Sequence, residues 1–269
     1  MGEATDPRAT RVKQEQQRLL AIYDKWMVHP LHAAFFGNSD FYNYGYSEAP
    51  GLTQAQACEA LVEKLLSFLP HKSGTILDVA CGLGASTRLL LKYYAPQDVT
   101  AINISERQLE RARQNAPGAR FLRMDAVQLE FSDASFDAVL CVESAFHFTT
   151  REQFLREACR VLKPGGTLVL SDILGWVSRS KRANVVKSPA AYAALLARAG
   201  FEDVQVLDAT EAATRTCARR LSRWPGVELR AGRLSFTKFA RAWLGAQAYA
   251  LFMRWTQPYY VVAAARKPA

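Results

Sequence analysis

The run Ile76-Leu77-Asp78-Val79-Ala80-Cys81-Gly82-Leu83-Gly84-Ala85-Ser86-Thr87 constrains this chain more than any other stretch. Its first residues are apolar and partly β-branched, and apolar residues recur at helical spacing from Ser86 to Tyr94, so the segment reads as strand, tight turn and helix. That is half of a βαβ unit. Gly82 and Gly84 supply the positive φ angles and the missing Cβ that let a ligand approach backbone, beside the unpaired N–H groups of a helix start. Asp78 stands inside the strand, where a dinucleotide-binding fingerprint carries an apolar residue, and Thr87 replaces its third glycine. A carboxylate there repels pyrophosphate and attracts a cation. A purely structural turn is the alternative reading.

From residue 75 onward strands and helices alternate: strand 75–79, helix 84–94, strand 98–102, helix 105–114, strands 119–123 and 136–141, helix 151–161 and strand 167–172. This pattern predicts an α/β fold with a parallel sheet and right-handed crossovers. Lys163-Pro164-Gly165-Gly166 reads as the breaker between the last two elements. A further unit follows, with helix 188–199, Gly200 as its cap and strand 202–207. Residues 211–255 then interrupt the alternation with a mostly helical insertion before a last strand at 258–265. Ahead of the core stand a helix over 8–27, an aromatic loop from Phe35 to Tyr46 and a helix from Gln54 to Phe68 capped by Thr53. No repeat or linker divides the chain. One unit is expected, with N-terminal helices and lid over 1–70, core over 71–207, insertion over 208–256 and last strand over 257–269.

The 269 residues and 49% hydrophobic content suffice for a buried core without disulfides. The five cysteines form no C-x-x-C pair, and Pro30 between His29 and His32 breaks the helical spacing of a metal pair, so a reducing, cytoplasmic setting without a metal site is expected. No secretory signal is visible, and the apolar stretch 242–253 is too short to cross a membrane. Net charge is +9, with Arg215, Arg219, Arg220, Arg223, Arg230, Arg233, Lys238 and Arg241 close together. Such a stripe steers a polyanion, an anionic lipid surface or an acidic substrate, unless it is simply a solvated helix face.

Five markers in order resemble the class I S-adenosylmethionine-dependent methyltransferases, and within them the ubiquinone-biosynthesis-like group that modifies small molecules: LDVACGLG at 77–84, INIS with a glutamine at 102–108, RMDA at 123–126, FDAVLCVESAFHF at 136–148 and REACRVLKPGGTLVLSD at 156–172. The resemblance implies a Rossmann-like, seven-stranded, mostly parallel sheet with helices on both faces, an antiparallel last strand, and S-adenosylmethionine across the carboxyl ends of the strands, leaving S-adenosylhomocysteine as product. It assigns Asp78, Ala80, Gly82 and Gly84 to the methionine end. Relatives carry an acid at the end of the second strand for the ribose hydroxyls, and this chain has Asn103, with Ile104 beside it and Gln108 placed to take the second hydroxyl. Asn103 also reads as a plain strand-end turn residue. Asp125 and Ala126 take the adenine, and Tyr42, then Tyr44, the cofactor carboxylate, unless these rings merely pack.

Methyl transfer is an in-line displacement, so the protein aligns the reactants and excludes water. A hydroxyl acceptor must also lose a proton. His147 after the fourth strand is the first candidate base, Glu143 lies near enough to orient it or touch the cofactor, and Asp172 is a second base. His147 as an ordinary pocket residue is the competing reading. The insertion at 211–255 and the loop 35–46 are expected to cover the acceptor, and 174–187 to shape its pocket. The acceptor is expected to be a natural-product-like small molecule methylated on oxygen, with nitrogen or carbon, or a lipid or quinone, open. Nucleic acid is disfavoured because Val142-Glu143-Ser144-Ala145-Phe146-His147 lacks the Asn/Asp-Pro-Pro-aromatic signature. A non-catalytic cofactor-binding scaffold is the rival from another class, and the missing third glycine and ribose acid weigh against an NAD enzyme.

Overall fold

Side chains that alternate across a strand let one sheet bury two faces at once. In the computed structural model, which describes residues 17–18, 20–27, 29–48, 51–175 and 184–269, the described residues form a seven-stranded sheet. Its strands are β1 (Ile76–Val79), β2 (Val99–Asn103), β3 (Arg120–Arg123), β4 (Phe136–Val142), β5 (Leu162–Leu174), β6 (Glu202–Asp208) and β7 (Tyr259–Arg266). They lie in the order β3-β2-β1-β4-β5-β7-β6, and β7 alone runs antiparallel to its neighbours β5 and β6. This is the Rossmann-like arrangement expected from the sequence.

The helices are α1 (Pro30–Phe35), α2 (Gln54–Leu66), α3 (Ala85–Leu90), α4 (Glu106–Asn115), α5 (Arg151–Val161), α6 (Pro189–Arg198), α7 (Thr216–Arg230) and α8 (Phe236–Thr256). Ile76, Leu140, Val169 and Val262 are buried in one cluster with Leu61 and Leu65 of α2. Leu77, Val79, Val139 and Leu168 are buried in another with Phe154 of α5 and Tyr192 of α6. The two faces are therefore both covered. Helix starts follow the cap residues: Thr53 and Gln56 form a reciprocal capping box, and the hydroxyls of Ser105, Thr150 and Ser188 each accept a backbone N–H of the first turn. Each cap contributes about 1 kcal/mol.

Three boundaries differ from expectation. Helix α3 stops at Leu90 instead of 94, because the N–H groups of Lys92, Tyr93 and Tyr94 turn back onto Leu89 and Leu90 ahead of Pro96. Strand β5 begins at Leu162, since Gly165 N–H donates to Lys267 O and Lys267 N–H to Gly166 O, which keeps the Lys163–Gly166 breaker tied to the sheet. Of the N-terminal helix expected over 8–27, residues 20–26 are helical, and 8–16 lie outside the described residues. In the insertion, a π-helical turn at Glu211–Arg215 leads into α7 and α8, with Pro225 buried inside α7.

Gly84 opens α3 in the left-handed region (φ +82°), and a Cβ there would sit 2.7 Å from Ala112 Cα on α4. Its size, as much as its conformation, is what the fold needs. Gly84→Ala is expected to lower the unfolding free energy by about 1–3 kcal/mol, as measured by chemical denaturation.

Candidate active site

The carboxyl ends of β1, β2, β3 and β4 open into a cleft enclosing about 1200 Å³ including its mouth. Parallel strands bring their carboxyl ends to one edge of the sheet, and a crevice forms where the chain leaves β1 in one direction and β4 in the other. The first wall is the turn after β1. Ala80 (φ +60°) and Gly82 (φ +56°) both hold left-handed backbone, and Cys81 N–H donates to Ile102 O, locking the turn against β2. A Cβ on Gly82 would find nothing nearer than Met27 Cε at 3.7 Å, so this face of the turn is open to the cleft.

Asp78 stands behind that wall. Its Oδ2 accepts from Ser86 Oγ at 2.8 Å and Thr87 Oγ1 at 2.7 Å, while Oδ1 is buried without a hydrogen-bond partner among the described residues. Burial pushes its carboxyl up to about 6, against the pull of the two hydroxyls. Ser86 lines the cleft, so Asp78 reaches the cleft through it.

At the second strand, Asn103 Nδ2 donates to Gln108 Oε1 at 2.9 Å, and Gln108 Nε2 donates to Asp24 Oδ1 at 2.9 Å, where Ser105 Oγ also donates at 2.8 Å. The acid missing from the end of β2 is thus met by one from the N-terminal helical stretch. Sequence reading missed Asp24, because a lone acid on a helix carries no signal of what it packs against. Ile104, Asp125 and Ala126 complete this end of the cleft, with Asp125 Oδ1 accepting from Val127 N–H at 3.1 Å.

At the opposite end, Glu143, Phe146, His147 and Phe148 line the cleft. Glu143 has φ +48°, and its Oε2 accepts from Tyr44 N–H and Tyr260 Oη, both at 2.8 Å. Burial pushes the Glu143 carboxyl up to about 8 despite these donors. Tyr23 also meets His147, its hydroxyl 2.6 Å from His147 Nε2 with the rings edge to face. Burial raises the Tyr23 phenol well above its ordinary range, with Tyr249 and Glu143 adding to it. Tyr23, like Leu20 and Met27, comes from the helical stretch over 20–26 and its end, where the sequence predicted only a helix.

Three expected site residues stand elsewhere. Gly84 faces α4, as above. Tyr44 is buried with its hydroxyl 3.3 Å from that of Tyr249, and does not line the cleft, whereas Tyr42 does, with its hydroxyl bonded to Met27 O. Asp172 is no solvent-facing base: it is wholly buried, accepts from Arg151 Nε at 2.6 Å, and takes the backbone N–H of Phe146 and Ile173. Arg151 is held in turn by the carbonyls of Ile173 and Asn184. The insertion at 211–255 contributes no lining residue among those described. It packs against α2 and the aromatic loop, with Arg220 Nη1 donating to Gln54 Oε1, Ser47 N–H to Ala212 O and Trp224 edge to face with Phe35. Of 174–187, the stretch 176–183 lies outside the described residues.

Removing one partner of a buried ion pair strands the other, at a cost of about 3–5 kcal/mol. Asp172→Ala is expected to lose that much stability in a denaturant titration. Asp172→Asn, which keeps an acceptor for Phe146 N–H, is expected to lose less.

The methyltransferase domain model matches residues 77–170, from β1 into β5. The 27-O-demethylrifamycin SV methyltransferase of Amycolatopsis mediterranei is 31% identical over 248 residues, covering 84% of this chain and 89% of that protein. Among solved structures, the cyclase SpnF superposes with a TM-score of 0.70 at 24% identity, over 94% of this chain and 97% of that one. The geranyl diphosphate C-methyltransferase of Streptomyces coelicolor superposes at 0.67 with 16% identity, over 99% and 100%. The glycine turn, the cleft at the strand ends and a relative matched over nearly its whole length lead to one conclusion: the chain belongs to the class I S-adenosylmethionine-dependent methyltransferases, as an enzyme acting on small molecules or lipids.

Proposed function

We propose that this enzyme methylates a hydroxyl oxygen of a natural-product-like acceptor, received beside His147 and Glu143. The observation that carries this is the Tyr23 hydroxyl 2.6 Å from His147 Nε2, a phenol already seated where an acceptor O–H would deliver its proton. The name of the rifamycin relative, which refers to an oxygen position, supports the same choice.

The chain's residues fit the cofactor. Gly82 leaves room at the turn, and Asp78 Oδ1 is a buried acceptor lacking a donor. In this reading Asp78, through Ser86, and the backbone at Ala80 and Gly82 hold the cationic methionine end. Tyr42, which lines the same cleft, would contact its carboxylate. Asn103, Gln108 and Asp24 offer both donors and acceptors to a ribose diol, and Asp125 and Ala126 face the adenine. When bound, S-adenosylmethionine supplies an electrophilic methyl group on a sulfonium. His147 then receives the acceptor proton at Nε2 in place of the contact to Tyr23. Glu143, anchored by Tyr44 N–H and Tyr260, supplies a second proton-accepting group in the same wall. Phe146 and Phe148 exclude water from the acceptor end.

His147→Ala is expected to depress turnover by about 10² to 10⁴-fold, with calorimetric affinity for S-adenosylhomocysteine retained. Below about 8 the Glu143 carboxyl is protonated and takes up no further proton, so the wild-type rate rises with pH through that range, and Glu143→Gln flattens the upper limb. A His147→Ala variant within about threefold of wild type, below the range of general-base assistance, refutes the role of His147.

Asp78 gives an independent test. Its carboxyl holds a proton up to about 6 in the fold and up to 3.8 ordinarily, so stability falls as pH rises between those values and the cost persists above them. Asp78→Asn removes that cost. At pH 7 the variant is expected to unfold no earlier than wild type, yet to bind S-adenosylhomocysteine about tenfold or more weakly, the loss of one charge-assisted contact. Unchanged affinity overturns the assignment.

A further inference from the structure

The insertion, which contributes no residue to the cleft lining among those described, is also where the chain keeps its excess charge. Residues 211–256 carry nine Lys and Arg against two Asp and Glu, +7 of the net +9. Both acids are already ion-paired, Glu211 with Arg219 and Glu228 with Arg233. Helix α8 itself has no acidic residue, and carries Lys238, Arg241 and Arg254.

The same helix presents apolar surface. Six of the twelve exposed large apolar side chains among the described residues lie on it, led by Trp255 (81% exposed), Phe236 (74%) and Leu244 (62%). At 100° per residue, Phe236, Trp243, Leu244, Leu251 and Trp255 fall within an arc of about 120°. Ala246, Ala250 and Met253, on a side about 110° away, are buried against the protein. A solvated helix face does not carry two tryptophans and two leucines in one stripe. No described helix is long and apolar enough to cross a membrane. Arg241 borders this stripe and Arg254 lies within it, and exposed aromatic and leucine side chains interleaved with cations suit a helix lying in the plane of a lipid interface.

We propose that α7 and α8 dock this enzyme on an anionic lipid surface, with the Phe236–Trp255 stripe seated among the headgroups and the surrounding Arg and Lys side chains on lipid phosphates. Two occupants fit worse. A second copy related by two-fold symmetry would set the +7 surface against itself. A nucleic acid would engage the cations, but Leu244 and Leu251 have neither a π-face nor a hydrogen bond to offer it. Docking goes beyond the acceptor assignment above and does not depend on it.

Sedimentation of the full chain with phosphatidylcholine vesicles, with and without phosphatidylglycerol, tests the proposal, with tryptophan emission recorded in parallel. Binding is expected to the anionic vesicles, with a blue shift, weakening as salt rises. Leu244→Glu with Leu251→Glu is expected to abolish it while S-adenosylhomocysteine binding, the check on folding, is unchanged. Replacing Arg230, Lys238 and Arg241 by Gln is expected to weaken partitioning by about fivefold per charge. Absence of vesicle binding overturns the proposal, as does equal partitioning into both vesicle types or full retention in the double variant. Light scattering and a DNA titration complete the test. A dimer dissociated by the double variant without vesicle binding assigns the stripe to a second copy. Tighter binding to DNA than to vesicles assigns the cations to nucleic acid. Either result refutes lipid docking.

Discussion

The junction between β1 and α3 is the constraint on which the site rests, and it is held by one carboxylate. Asp78 Oδ2 captures the hydroxyls of Ser86 and Thr87, which fixes the first turn of α3 against the strand it follows. With both ends pinned, the intervening residues accept left-handed backbone at Ala80, Gly82 and Gly84. The two glycines then divide the labour. Gly84 makes room for α4 and Gly82 leaves the turn open to the cleft, a distinction that the G-x-G pattern does not draw. The cost is a carboxyl buried enough to prefer its proton, and a cationic ligand at the turn relieves that cost.

A second buried charge organises the acceptor end. Asp172 at the end of β5 binds Arg151 at the start of α5 and also takes the N–H of Phe146, so the loop that carries His147 is tied to the sheet through this pair. Asp172 itself is wholly buried, its oxygens taken up by Arg151 and two backbone N–H groups. Glu143 is held in the same manner, by Tyr44 N–H and the Tyr260 hydroxyl of the antiparallel strand β7, which lies far from it in sequence. Low dielectric strengthens each of these contacts and makes each indispensable, since an unpaired partner would be left buried.

The N-terminal helical stretch joins the two ends. Tyr23 meets His147, Asp24 meets Gln108 and Ser105, and the carbonyl of Met27 receives the Tyr42 hydroxyl. One short segment thus touches the candidate proton acceptor, the polar chain at β2 and the aromatic loop, so events at either end of the cleft bear on the same helix. The insertion, expected to cover the acceptor, packs against α2 and the aromatic loop, and α8 leaves a stripe of apolar side chains exposed.

Local chemistry made most of the fold legible in the sequence. The β-branched runs, the cap residues at Thr53, Ser105, Thr150 and Ser188 and the glycine turn act within a few residues, so strand order class, helix starts and the cleft at Gly82, Asn103, Gln108 and His147 could be expected from sequence alone. Contacts between residues far apart in the chain were decided only by the tertiary structure. The 124 residues between Tyr23 and His147, the 84 between Asp24 and Gln108 and the 117 between Glu143 and Tyr260 carry no periodicity that could announce them. Burial turned Asp172 from an apparent base into half of an ion pair, and turned Tyr44 away from the cleft, because what a polar side chain does depends on which partner packing brings within reach.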